Sequence, residues 1–154
     1  MNALSCAKYV LNHFLANSGL ESRLFGKNIR ITSAEPGRVE FELNIKKEHT
    51  NRLEIIHGGT IASLVDLGGS LAVASKGLFG TGVSTDLNVT YLRPGGQVGD
   101  VLKAVAICDK LGKSMAYTNI NFINCKGEIS ARGSHTKFLT DASKDMKFPA
   151  DYEK

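Results

Sequence analysis

Apolar and polar positions along this chain fall into two different rhythms. In "RVEFELNIK", Val39, Phe41, Leu43 and Ile45 alternate with Glu40, Glu42, Asn44 and Lys46, the pattern of a strand with one buried and one wet face. Upstream, Leu4, Ala7, Leu11, Phe14 and Leu15 share one helical face while Lys8 and Asn12 lie elsewhere. That predicts an amphipathic helix over about 2–18, ending near Ser18-Gly19, because glycine is favoured just past a helix end. A short strand around 28–33 follows, closed by the turn signal Glu35-Pro36-Gly37. From about 58 to 76, Ile61, Ala62, Leu64, Val65, Leu67, Leu71, Ala72, Val73 and Ala74 leave almost no polar stripe, which predicts a helix buried nearly all round. Gly68-Gly69 cost helix propensity there, so something must pack very close to them.

Strand periodicity then returns over 82–92, 100–108, 114–124 and 128–139. The breaks are Arg93-Pro94-Gly95-Gly96, Lys110-Leu111-Gly112-Lys113 and Cys125-Lys126-Gly127, short enough to imply hairpins and a four-strand antiparallel meander. One such sheet has a single apolar face, and one helix fills it only if the sheet curls around it. The expected fold is α+β: a curled antiparallel β-sheet wrapped around a long central α-helix, with an N-terminal helix, in one domain over 1–140. The polar segment 141–154, with Pro149, is expected to be loose.

Composition narrows the classes. A chain of 154 residues, 42% hydrophobic and 22% charged, reads as one ordinary globular domain. The net charge of +4 is spread without a Lys/Arg run, which argues against a nucleic-acid partner. Cys6, Cys108 and Cys125 lack CxxC spacing, and His13, His49, His57 and His135 lack paired-ligand spacing, so neither a metal nor a disulfide is expected. Reduced thiols point to a cytoplasmic compartment. Four basic side chains and one acid in the first thirty residues, without an Arg/Ser-rich leader, leave a mitochondrial location as the weaker reading. No apolar run reaches the length of a membrane span.

The candidate chemistry sits in "IIHGGTIASLVD". Gly58 and Gly59 open the buried helix, where the first N–H groups lack intrahelical partners and carry the positive end of the macrodipole. Such a place suits a polarised carbonyl oxygen, although His57-Gly58-Gly59 also makes a tight loop-to-helix turn. Asp66, among apolar neighbours, is costly to bury unpaired, and burial would raise its pKa towards useful base strength. The helix between Gly58 and Asp66 spans about 12 Å, too far for one carbonyl to meet both. If both act on one bond, the acid comes from a second copy of the chain across a two-fold axis, which predicts an isologous dimer. In "VSTDLNVTYLRP", Ser84, Asp86, Asn88 and Thr90 share one strand face, either a solvated row or a water-holding one. Asn51, in the polar loop, is a loop-capping amide or a substrate ligand.

Together, "EHTN", "HGG", "LVD", "GVS.D.N.TY..P", "GK" and "HTK" in this order resemble the HGG-motif group of hotdog-fold thioesterases, over about 26–139. The resemblance implies hydrolysis of acyl-CoA thioesters without a cofactor, in dimers with sheets side by side that pair into tetramers. It implies that Gly58 polarises the thioester carbonyl, that His57 assists, and that Asp66 of the partner activates water or attacks directly. Ser84 would orient that water and Asn51 would hydrogen-bond the reaction site. Tyr91, Arg93, Lys110, Gly112, Lys113, Ser114, Lys137 and Phe138 match positions that contact coenzyme A, with Lys113 and Lys137 the preferred phosphate partners. The turn "DKLGKS" is one residue longer than the resemblance would have it. Two other readings stay open: a non-catalytic acyl-CoA-binding module, and a dehydratase acting on 3-hydroxyacyl thioesters.

Overall fold

The alternating stretch forms β2 (Arg38–Asn44), and Val39, Phe41, Leu43 and the following Ile45 are buried. It pairs through the Pro36-Gly37 turn with β1 (Ile29–Glu35) in this computed structural model, which describes residues 1–152. Ahead of them lie α1 (Ala3–Asn17) and α2 (Gly19–Leu24). Ser18 separates the two helices: its N–H donates to Phe14 O at 2.9 Å and its hydroxyl accepts from the Glu21 N–H. The chain thus breaks where expected, but Ser18 caps a second helix that the sequence reading lacked.

The apolar segment is α3 (Gly58–Ala74), followed by β3 (Val83–Tyr91), β4 (Val101–Leu111), β5 (Met115–Ile123), β6 (Ile129–Phe138) and the short α4 (Asp141–Asp145). All strands lie in one antiparallel sheet of order β1-β2-β4-β5-β6-β3. Its concave face closes over α3, whose Leu64, Val65, Leu67, Leu71, Ala72 and Val73 are buried. The predicted meander needs correction at one strand. β4, β5 and β6 are successive hairpins, but β3 pairs with β6, Ser84 opposite Lys137 and Tyr91 opposite Ala131. The Leu92–Asp100 connection therefore crosses from one sheet edge towards its middle. β3 is left as an edge strand, with Val83, Leu87 and Tyr91 exposed.

Gly68 and Gly69 mark where the sheet comes closest. A Cβ at Gly68 would overlap the Ile120 side chain, and one at Gly69 would overlap His135 and Thr118. The crowding inside α3 is thus a sheet contact within one chain. The C-terminal segment is not loose as expected: Thr140 caps α4 through the Ser143 N–H, and Phe148 and Tyr152 pack edge-on against Tyr9. Positions 153–154 lie outside the described residues. Among the described residues, no helix is long and apolar enough to cross a membrane.

Candidate active site

His57 caps α3. Its Nδ1 accepts the Gly59 N–H at 2.7 Å, and its C=O accepts from Thr60 N–H at 2.9 Å. A ring whose Nδ1 accepts carries its hydrogen on Nε2, so exposed His57 presents an Nε2–H donor outward in its neutral form. The Gly58 N–H has no acceptor among the described residues. It sits at the positive end of a 17-residue helix, where an oxyanion is favoured. Tyr91 closes the other side: its hydroxyl donates to Gly58 O at 2.6 Å, and partial burial pushes the phenol up, keeping it a donor.

The loop before α3 is built on His49, fully buried. Its Nδ1 accepts from Lys46 N–H at 2.9 Å, its Nε2–H meets Leu24 O at 2.6 Å, and its C=O accepts from His57 N–H. Asn51 Oδ1 accepts from the Leu53 N–H at 2.9 Å and the Ile55 N–H at 3.4 Å. The loop-capping reading is correct for that oxygen. The amide NH2 is what Asn51 can still offer a ligand, on a cleft of about 550 Å³ shared with Lys47 and Arg52.

Asp66 lies two turns into α3, on the one strip of helix that the sheet does not cover. Its side chain keeps 39% of its accessible surface, so within one chain the carboxylate is only part-buried. Ser84, at the start of β3, donates to Asp66 Oδ1 at 3.0 Å, and His135 Nε2 lies 2.7 Å from Ser84 Oγ and 3.2 Å from Asp66 Oδ1. Asp86 does not share this face with Ser84 in simple alternation, because a bulge at Thr85 shifts the register between them.

His135 and Lys137 are the residues whose place the sequence reading missed. His135 is fully buried, and its pKa falls to about 4, mainly through desolvation and then the charge of Lys137, against the pull of Asp66 and Asp86. Lys137 was expected at a phosphate on the surface. It is 3% exposed and turned inward, its Nζ donating to Ser70 Oγ at 2.9 Å, which removes it from that role. Burial pushes its ammonium down, partly offset by Asp66. The available signal was strand parity: Ala131, Gly133, His135 and Lys137 fall on the same side of β6 as the core.

The remaining candidates separate by position. Gly58, His57, Asn51, Tyr91 and Arg93, whose guanidinium donates to Ile129 O, gather at one end of β3. Asp66, Ser84, exposed Phe138 and the exposed Lys110, Lys113 and Ser114 gather at the other, where Met115 pairs Phe138 and Phe138 pairs Val83. Gly112 turns that hairpin through an N–H bond to Met115 O at 2.8 Å, and a bulge at Asp109 precedes it. Ser84 to Tyr91 is roughly 23 Å of strand. The candidate residues thus form two groups at opposite ends of β3. Among the described residues, no cluster of three or more His, Cys, Asp or Glu side chains is arranged to hold a metal.

A sheet curled around one long helix, with a bare amide at the helix start and a carboxylate on its open strip, defines a hotdog-type hydrolase. The chain belongs to the thioesterase superfamily, whose family model matches residues 53–131, and its chemistry is thioester hydrolysis. It is 44% identical over 144 residues to a putative esterase of Schizosaccharomyces pombe, covering 94% of this chain and 89% of that one. It is 38% identical over 118 residues to acyl-coenzyme A thioesterase 13 of Homo sapiens, covering 76% and 83%. The crystal structure of zebra fish thioesterase superfamily member 2 superposes with a TM-score of 0.81 at 30% identity, covering 91% of this chain and 99% of that one.

Proposed function

We propose that this protein hydrolyses acyl-CoA thioesters to a free acid and coenzyme A, in a dimer whose every site joins one half-site from each subunit. The observation that carries this is the division of the machinery between opposite ends of β3, a strand whose outer edge is open. Antiparallel pairing of two β3 edges about Leu87 sets the Ser84 end of one copy against the Tyr91 end of the other. Asp66 then faces the Gly58 of its neighbour. Exposed Val83, Leu87 and Tyr91 lose water in the process. Pairing of two such dimers gives the tetramer that the family resemblance implies.

In this site the thioester oxygen takes the Gly58 N–H and an Asn51 amide hydrogen. Asp66 of the other subunit removes a proton from water, and the hydroxide attacks the carbonyl carbon. Collapse of the tetrahedral intermediate breaks the C–S bond, and the proton held by Asp66 passes to the departing sulfur, which His57 Nε2–H solvates. Arg93 and Tyr91 of one copy come beside Lys110, Gly112, Lys113, Ser114 and Phe138 of the other, a cationic rim suited to the phosphates of coenzyme A. The name of the human relative, an acyl-coenzyme A thioesterase, supports that substrate class.

The test is thiol release from a panel of acyl-CoAs, read with a thiol-trapping dye, beside Asp66→Ala. Release that falls by at least about 100-fold in the variant supports the reading. Intact ligand recovered after tight binding would favour a binding module, and an enoyl product the dehydratase; either retires the hydrolase.

A further inference from the structure

Beneath the Asp66 carboxylate lies a buried polar chain that hydrolysis as described does not use. His135 is fully buried between α3 and the sheet, and its Nδ1 is the buried side-chain atom without a hydrogen-bond partner among the described residues. That nitrogen packs against the backbone of Gly69, where any Cβ would collide with it. On the opposite side of the ring, Nε2 meets Ser84 Oγ at 2.7 Å and Asp66 Oδ1 at 3.2 Å.

Only one protonation state suits these surroundings. A hydrogen on Nδ1 would be buried with no acceptor, and would turn the bare Nε2 lone pair towards a carboxylate. An imidazolium would carry the same stranded N–H. The charged groups around the ring are Asp66 on α3, Asp86 on β3 and Lys137 on β6 itself, while β5 contributes only the Thr118 hydroxyl, which donates to His135 O at 2.8 Å. Lys137, anchored on Ser70, sets a cation against any charge on the ring.

We infer that His135 is a positioning residue for the proposed hydrolysis: a neutral imidazole that donates from Nε2 to Ser84, so that the Ser84 hydroxyl in turn donates to Asp66 Oδ1. This rests on the thioesterase reading and deepens it. The relay has a fixed direction because its far end, Nδ1, can neither donate nor find a donor. The Ser84 hydrogen is committed to Asp66, so Ser84 can only accept from the attacking water. Oδ1 is occupied by Ser84 and touched by His135, which leaves Oδ2 as the oxygen that receives the water proton. Gly69 makes room for the ring, and burial, seconded by the charge of Lys137, keeps it uncharged.

The state of the ring is read without kinetics. Two-bond 1H–15N correlation spectra of the wild-type protein, at pH values from 5 to 8, should show His135 with protonated Nε2 and bare Nδ1. An Nδ1–H tautomer, or an imidazolium at neutral pH, overturns the inference. Lys137→Met should move His135 protonation to higher pH; an unmoved midpoint takes Lys137 out of the relay and overturns that part. In kinetics, His135→Leu, which cannot donate, should lower kcat roughly 10- to 100-fold with KM changed by less than about threefold. His135→Gln, whose amide reaches the Nε2 position, should recover part of the loss. Wild-type kcat in His135→Leu, or a loss confined to KM, overturns the positioning role while the thioesterase reading stands. A wild-type protein that releases no thiol from any acyl-CoA sinks the thioesterase reading, and the spectra still report the ring.

Discussion

The Tyr91 hydroxyl donates to the Gly58 carbonyl at 2.6 Å, tying the last residue of an edge strand to the first turn of the core helix. The bond joins the start of α3 to the end of β3, the ends of the two elements farthest from the 75–82 connection between them. It also fixes the residue whose N–H is the candidate oxyanion donor. Tyr91→Phe should therefore cost about 0.5–1.5 kcal/mol of stability. For a domain of this size that lowers Tm by roughly 2–6 °C. If the bond also aligns Gly58, kcat for thioester hydrolysis falls several-fold beside the modest loss in Tm; unchanged kcat would make Tyr91 a structural clasp only. Thermal melts with steady-state kinetics on the same preparation separate the two.

Burial of His135 makes stability depend on pH. The unfolded chain protonates this histidine near pH 6.5, the folded chain only near about 4. Between those values the unfolded state binds more protons, so folding stability falls as pH is lowered through that window. The His135 share of the loss should reach about 2 kcal/mol by pH 5. Lys137 has the same sign at the alkaline end: its lowered pKa makes stability rise with pH between that value and the ordinary lysine range. Carboxylates elsewhere add their own acid dependence, so the comparison is urea denaturation of wild type and His135→Gln from pH 8 to pH 5. The two curves should converge at low pH; parallel curves would show that the ring is not buried neutral.

Strands and core helix were legible because one-dimensional rhythm reports which face is buried. The alternation of Val39, Phe41, Leu43 and Ile45, and the all-round apolarity from Ile61 to Ala74, each became the element expected. Pairing was less legible. The rhythm of Val83–Tyr91 marks a strand but carries no label for its neighbour, and β3 found β6 rather than β4. Gly58 and Asp66 stood out as residues costly for the element that holds them. Lys137 and His135 did not, because a lysine is read as a surface residue by default, and only parity from Ala131 and Gly133 turns it inward. The C-terminal segment was misjudged for a similar reason. Phe148 and Tyr152 are sparse in a polar stretch, yet Tyr9 and Phe79 wait for them across the fold.

Gly68 and Gly69 offer a controlled comparison. Alanine at either adds one methyl to a filled space, and overpacking of that kind costs about 1–3 kcal/mol. The neighbours differ: Ile120 and Phe41 at Gly68, His135 and Thr118 at Gly69. Comparable losses of Tm are expected from the two variants, but Gly69→Ala should lower kcat much more, since it displaces the ring that contacts Ser84 and Asp66. Equal kcat values would show that the two glycines serve packing alone.

The division of the site between two subunits can be tested by mixing. Asp66→Ala disables the acid half-site. Gly58→Val disables the other, since even its Cβ would press within 3.2 Å of the Tyr91 ring and hydroxyl. Each homodimer then has two dead sites. A mixed dimer has one site built from the two intact halves and one carrying both lesions. Random assortment from an equal mixture makes half of the dimers mixed, so activity should return to roughly a quarter of wild type. Refolding or co-expressing the two variants, with thiol release as the readout, gives that fraction directly. If every site were contained in one chain, no mixture could contain an intact one, and activity would stay at the level of the separate variants.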